Sequence, residues 1–221
     1  ICCENSFDYS NAISYYNAYL NLEPYDSLAW FYLGNLYGKS GQLQKSVEAM
    51  DFCIAIDEKF DLAHFQKAFT LYLDRQYDKA LQAFLIFMDF KNEAFISYYY
   101  LAICYKELKD FKNAKKFFLK TIATDRRFNN KSSDPFFFMG QIYEETKKYN
   151  LALKYYNEGI GIDPFNQQNW IGMGSVYMKV GLPDLAKKFY KRALSIDPEN
   201  GETHNVIIKS LRHHIRPCPG K

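Results

Sequence analysis

One kind of position recurs along this chain at a spacing of 34. The small residues Ala12, Ser46, Ala80, Ala114, Ala152 and Ala186 are separated by 34, 34, 34, 38 and 34 residues. A second series, Gly34, Ala68, Ala102, Gly140 and Gly174, steps by 34, 34, 38 and 34. Two series that share a period and slip by four at the same place define an internal repeat with one insertion. A unit of this length cannot bury its apolar face alone, so the copies must stack on one another.

Each period carries characteristic residues around the small marks. They are Trp30, Leu33, Tyr37, Met50 and Cys53 in one unit, then His64, Leu71, Phe84 and Phe87. Tyr98, Leu101, Tyr105 and Phe118 follow, then Phe136, Met139, Tyr143, Tyr156 and Pro164. Trp170, Met173, Tyr177, Tyr190, Ala193 and Pro198 complete the series. This pattern resembles the tetratricopeptide repeat over nearly the whole chain. The resemblance implies an all-α fold, a right-handed α-solenoid of stacked antiparallel helical hairpins. It divides the chain into a half repeat at 1–26, repeats at 27–60, 61–94, 95–132, 133–166 and 167–200, a capping helix at 201–213 and a flexible tail at 214–221. The aromatic, Lys-rich and Asn-rich composition, with the stretch Asp125 to Phe128, also resembles bacterial arrays of the Bacteroidetes.

The marks have packing reasons. Small residues let the two helices of a hairpin approach, and residues four before and three after share that face. Ser40-Gly41, Asp74, Asp110 and Gly181 to Asp184 supply breakers and N-cap types between helices. Pro24, Pro164 and Pro198 end the second helices. The insertion, Arg126 to Ser133, is expected to lengthen a loop and disturb the stacking there.

Catalytic chemistry is not visible. The chain has no Gly-x-Gly-x-x-Gly, Walker, His-Glu-x-x-His or Gly-x-Ser-x-Gly motif. His64 stands where other units carry Trp30, Tyr98, Phe136 and Trp170, which makes it a packing residue. The adjacent His213 and His214 lie about 100° apart on a helix, a poor geometry for two ligands of one metal. Carboxylates such as Glu144 and Glu145 read as solvated helix faces. The chain therefore reads as no enzyme, with neither cofactor nor metal. Cys2, Cys3, Cys53, Cys104 and Cys218 have no Cys-x-x-Cys spacing, and a reducing, cytoplasmic location is expected. No apolar run is long enough to span a membrane. The first residue is Ile and no signal peptide precedes it, so the chain reads as a piece of something longer.

In arrays of this family the first helices line the concave groove, and three positions per unit point into it. These are Phe31, Tyr32 and Asn35; Phe65, Gln66 and Phe69; Tyr99, Tyr100 and Ile103; Phe137, Phe138 and Gln141; and Ile171, Gly172 and Ser175. The family favours Asn at the second position, and Tyr32, Tyr100 and Phe138 depart from it. Two readings of these rings compete: anchors for a peptide or partner segment, or padding between units. The family's carboxylate clamp needs basic residues where Phe31, Phe65 and Tyr99 stand, so that mode is not expected. Residues 1–60 carry three Lys against eight acids, and residues 106–131 carry nine Lys or Arg against three. That basic stretch lies mostly on a second helix and carries no nucleic-acid motif, so nucleic acid is not the expected partner. The function expected is a protein–protein interaction scaffold or adaptor. The alternatives are a structural subunit whose groove is filled by itself or by flanking segments, and a targeting module for an enzyme domain elsewhere. Self-association through an uncovered end of the array is a further expectation.

Overall fold

The computed structural model describes residues 9–90, 94–128, 132–201, 204, 205, 207 and 208. Among these residues the chain forms eleven helices: α1 (Tyr9–Leu22), α2 (Ser27–Lys39), α3 (Leu43–Ile56), α4 (Asp61–Leu73), α5 (Tyr77–Phe90), α6 (Ala94–Glu107), α7 (Phe111–Phe128), α8 (Asp134–Glu145), α9 (Tyr149–Ile162), α10 (Gln167–Lys179) and α11 (Pro183–Ile196). They fall into two compact units, one ending at Ala114 and the other beginning at Lys115. In the first, α2 packs on α3 and α4 on α5, and each pair docks on its neighbour through α1–α2, α3–α4 and α5–α6. In the second, α8 pairs with α9 and α10 with α11, joined through α9–α10.

The turn inside each hairpin is built the same way. Gly41, Arg75, Lys109, Lys147 and Gly181 all have φ between 58° and 79°. The next residue in each case returns its N–H to the carbonyl five residues earlier: Gln42 to Tyr37, Gln76 to Leu71, Asp110 to Tyr105, Lys148 to Tyr143 and Leu182 to Tyr177. This is the left-handed helix cap that glycine adopts without steric cost. Three of the five positions hold Arg or Lys, whose Cβ crowds the backbone there by about 1–2 kcal/mol. Lys147→Gly, with an exposed side chain, is expected to raise stability by about 1 kcal/mol. Urea denaturation followed by Trp170 fluorescence would read it, and an unchanged or lower midpoint would refute it.

The turn between hairpins is equally regular. Asp57, Asp163 and Asp197 accept the backbone N–H of Lys59, Phe165 and Glu199 at 2.9–3.1 Å. Six residues after a turn carbonyl, a ring nitrogen reaches back to it. Trp30 Nε1 donates to Pro24 O and Trp170 Nε1 to Pro164 O, at 2.8 and 2.9 Å. His64 Nε2 and His204 Nε2 make the equivalent contact with Glu58 O and Pro198 O. His64 also stacks on Phe90 at 4.5 Å, so it is a packing residue that ties a turn as tryptophan does.

The inserted stretch does not form a loop throughout, because α7 continues as helix to Phe128, giving 18 residues; residues 129–131 lie outside the described residues. Of the capping segment, Gly201, His204, Asn205, Ile207 and Ile208 are helical, and Ile207 packs with Ala186, Tyr190 and Ala193. Cys2, Cys3, Cys218, His213, His214 and the tail 214–221 lie outside the described residues.

Candidate functional site

The first helices of unit one, α2, α4 and α6, bring most of the expected groove rings together, and against each other. Phe65, Phe69 and Tyr100 form one cluster with Tyr72, Phe84 and Phe87. Tyr100 stacks on Phe84 at 5.2 Å and meets Phe69 and Tyr72 at 5.4 and 5.3 Å. Phe65 lies 5.3 Å from Phe87 and 6.3 Å from Tyr100. Tyr99 touches Tyr100 at 5.4 Å. Burial pushes the Tyr72 and Tyr100 hydroxyls above the usual tyrosine range. Ile103, expected in the groove, is buried in the core, because α6 offers its neighbours almost its whole circumference from Leu101 to Cys104. Gln66 and Asn35 are half-buried.

Toward α1 the rings are more open. Phe31 packs on Phe60 at 5.1 Å, while Tyr32 is 45% exposed. Tyr15, Tyr16, Tyr19, Asp26, Leu28, Ala29 and Tyr32 surround an open hollow of about 340 Å³. Asp26 caps α2 by accepting the Ala29 N–H at 3.0 Å, and Tyr19 donates its hydroxyl to the same carboxylate at 2.9 Å. Those two hydrogen bonds hold the Asp26 carboxyl below its ordinary range. Tyr15 is 77% exposed, and Leu22 and Tyr25 even more so. In α3 the residue that matches Tyr15 one repeat on, Ala49, is buried against Gly34 of its own first helix.

Unit two has different chemistry on the same helix face. Phe138 stacks on Phe118 at 5.5 Å, and Phe137 lies over Tyr156 at 6.1 Å. Beside Phe137, a pocket of about 350 Å³ opens between α8 and α10, lined by Gln141, Glu144, Glu145, Gln168, Ile171, Gly172, Ser175 and Lys179 with Tyr156 beneath. Glu144 is 9% exposed, which corrects its reading as a solvated acid. It lies one turn beyond Gly140 and accepts three hydrogen bonds, from Tyr156 OH at 2.7 Å, Ser175 Oγ at 2.6 Å and Lys179 Nζ at 2.9 Å. Those donors replace the water that burial removes. Ile171 and Gly172 are buried although they line the pocket, and Ser175 is half-buried.

Tyr156 itself is wedged between two glycines. A Cβ on Gly140 or Gly172 would stand 2.4 or 2.5 Å from its Cε1. Of the matching residues elsewhere, Met50, Phe84 and Phe118 carry no hydroxyl, while Tyr190 has no acid at the position of Glu144. A buried tyrosine hydroxyl needs a partner, so Tyr156 with Glu144 one turn past Gly140 is the sequence signal that could have found this site.

Models of the tetratricopeptide repeat match residues 15–48, 97–125, 134–166 and 167–200, more than half of the chain. The chain belongs to the tetratricopeptide-repeat family. Solved structures agree on the fold. A tetratricopeptide protein described as having an unusual peptide-binding site, YrrB, is 15% identical with a TM-score of 0.64, over 89% of this chain and 97% of its own. MamA is 18% identical, TM-score 0.66, over 87% and 98%. PilW, described as a type IV pilus biogenesis factor, is 15% identical, TM-score 0.71, over 90% and 91%. At these identities the likeness is one of fold, an all-α solenoid of helical hairpins. No curated protein matches the sequence. Tetratricopeptide arrays serve in general as scaffolds for protein partners. Among the described residues no helix is long and apolar enough to cross a membrane, and no group of three His, Cys, Asp or Glu could hold a metal ion.

Proposed function

We propose that this tetratricopeptide array is a non-catalytic scaffold or adaptor that holds a peptide or partner segment along its first helices. The observation that carries the reading is the open aromatic hollow at Tyr15, Tyr16, Tyr19 and Tyr32, where Tyr15, Tyr19 and Tyr32 keep much of their rings exposed to solvent. Large amphipathic rings that keep a polar tip suit apolar anchors of a partner. The departure from Asn at position 32 supplies one of them. The reading includes a reducing, cytoplasmic location, supported by Cys53 and Cys104, buried free thiols that burial pushes up to about 11 and about 12.

Panning a displayed library of random nine-residue peptides on the protein tests this. Binders rich in apolar or aromatic anchors, weakened about tenfold by Tyr32→Asn, are the expected result, a loss of roughly 1.4 kcal/mol. Binders indifferent to Tyr32 would move the site elsewhere, and no binders at all would remove the peptide-groove reading. The exposed Tyr15, Leu22 and Tyr25 favour one second reading, a subunit that covers this end with another chain or a flanking segment. Concentration-dependent light scattering without peptide binding would support that reading.

A further inference from the structure

We infer that the pocket between α8 and α10 takes the basic side chain of a partner segment, arginine before lysine; this rests on the first-helix face being where partners bind. Three observations carry it. The Gln141 side-chain oxygen is buried at the pocket with no hydrogen-bond partner, and a buried acceptor of that kind is expensive to leave unmade. Three residues on, Glu144 presents a second acceptor on the same face of α8; one of its oxygens receives a single hydrogen bond, from Tyr156. Two carboxylates, Glu144 and Glu145, and one ammonium, Lys179, are the charged groups lining the pocket.

Shape points the same way. The pocket wall beside Glu144 is completed by Phe137 and Ile171. Those two apolar walls suit the methylene stem of a long cationic side chain. A planar guanidinium can reach two acceptors at once, which an ammonium does with less fidelity. Lys179 already contacts Glu144 but is about half exposed, so an entering cation can displace it into water. Two first helices of unit one differ at the residues that build this pocket. At the positions of Gln141 and Ser175, α4 and α6 carry Phe69 and Ile103, and at the position of Glu144 they carry Tyr72 and Lys106.

The test uses the same random nine-residue library on the full chain. Enrichment of Arg, then Lys, is expected among peptides that Glu144→Gln releases. One such peptide, resynthesised with citrulline for its Arg, should bind about tenfold more weakly. Lys179→Gln, its fold checked by thermal melts, should tighten the Arg peptide several-fold by removing the competitor. Thermal melts of Glu144→Gln separate loss of binding from loss of fold, and the Lys179 variant decides if that protein does not fold. Peptides that depend on Tyr32 but show no basic enrichment, and none released by Glu144→Gln, would overturn this inference and leave the scaffold reading standing. Equal binding of the Arg and citrulline peptides, or weaker binding to Lys179→Gln, would overturn it too. No binder of any kind would remove both.

Discussion

Tyr156→Ala is expected to destabilise unit two by about 3–5 kcal/mol, the range for removing a large buried ring. The value should lie toward the upper end. The ring is 1% exposed and sits between Gly140 and Gly172, so no neighbouring side chain can swing in to fill the space. Its loss also takes one hydrogen bond from the buried Glu144 carboxylate. Tyr156→Phe separates the two effects: it keeps the ring and should cost about 1–3 kcal/mol, the penalty for an acceptor left short of a donor. The two tryptophans, Trp30 and Trp170, lie one in each unit. In a Trp30→Phe background, urea denaturation followed by Trp170 reads unit two alone. Equal midpoints for Tyr156→Phe and the parent would show that Ser175 and Lys179 satisfy Glu144 by themselves. A loss below about 1 kcal/mol for Tyr156→Ala would mean that the glycines close up after all.

The second large effect concerns Tyr100. Its ring lies within about 5.5 Å of Phe69, Tyr72, Phe84 and Tyr99. Tyr100→Asn is therefore expected to cost about 2–4 kcal/mol, through lost ring packing and a polar amide set among aromatic rings. Tyr32→Asn, at an exposed position, should stay within about 0.5 kcal/mol. Denaturation followed by Trp30 would show the difference, and equal costs would refute it. The contrast bears on function. Tyr32 and Tyr100 occupy equivalent places two repeats apart, yet only substitution of Tyr32 can report on binding without disturbing the unit. The padding reading of the groove rings thus describes Tyr100, and also Phe138 on Phe118, while the anchor reading is kept for the open rings beside α1.

The local sequence is a good guide wherever one residue does one local job. The helices end before Pro24, Pro164 and Pro198, as a missing N–H and a restricted preceding residue require. Gly41 and Gly181 mark two of the hairpin turns. Arg75, Lys109 and Lys147 take the same left-handed conformation without showing it in their identity, because the paired helices on either side hold them there against their own preference. Glu144 is the sharpest case. On a helix wheel it is an acid beside another acid, and nothing adjacent to it in the chain announces burial. Its donors come from residues 12, 31 and 35 positions away, on α9 and α10.

What the sequence alone determined is the repeat: its period, its hairpins, the small residues at the helix contacts and the family to which they belong. These follow from helical periodicity, which is a property of neighbours along the chain. The tertiary structure decided which groove-side residues meet each other and which remain open, and that unit one carries a ring cluster where unit two carries an acid-and-amide pocket. The reason is distance. The approach of one first helix to the next is set by side chains of the helix packed behind them, such as Tyr156 between Gly140 and Gly172, and a contact across two helices leaves no period in the sequence.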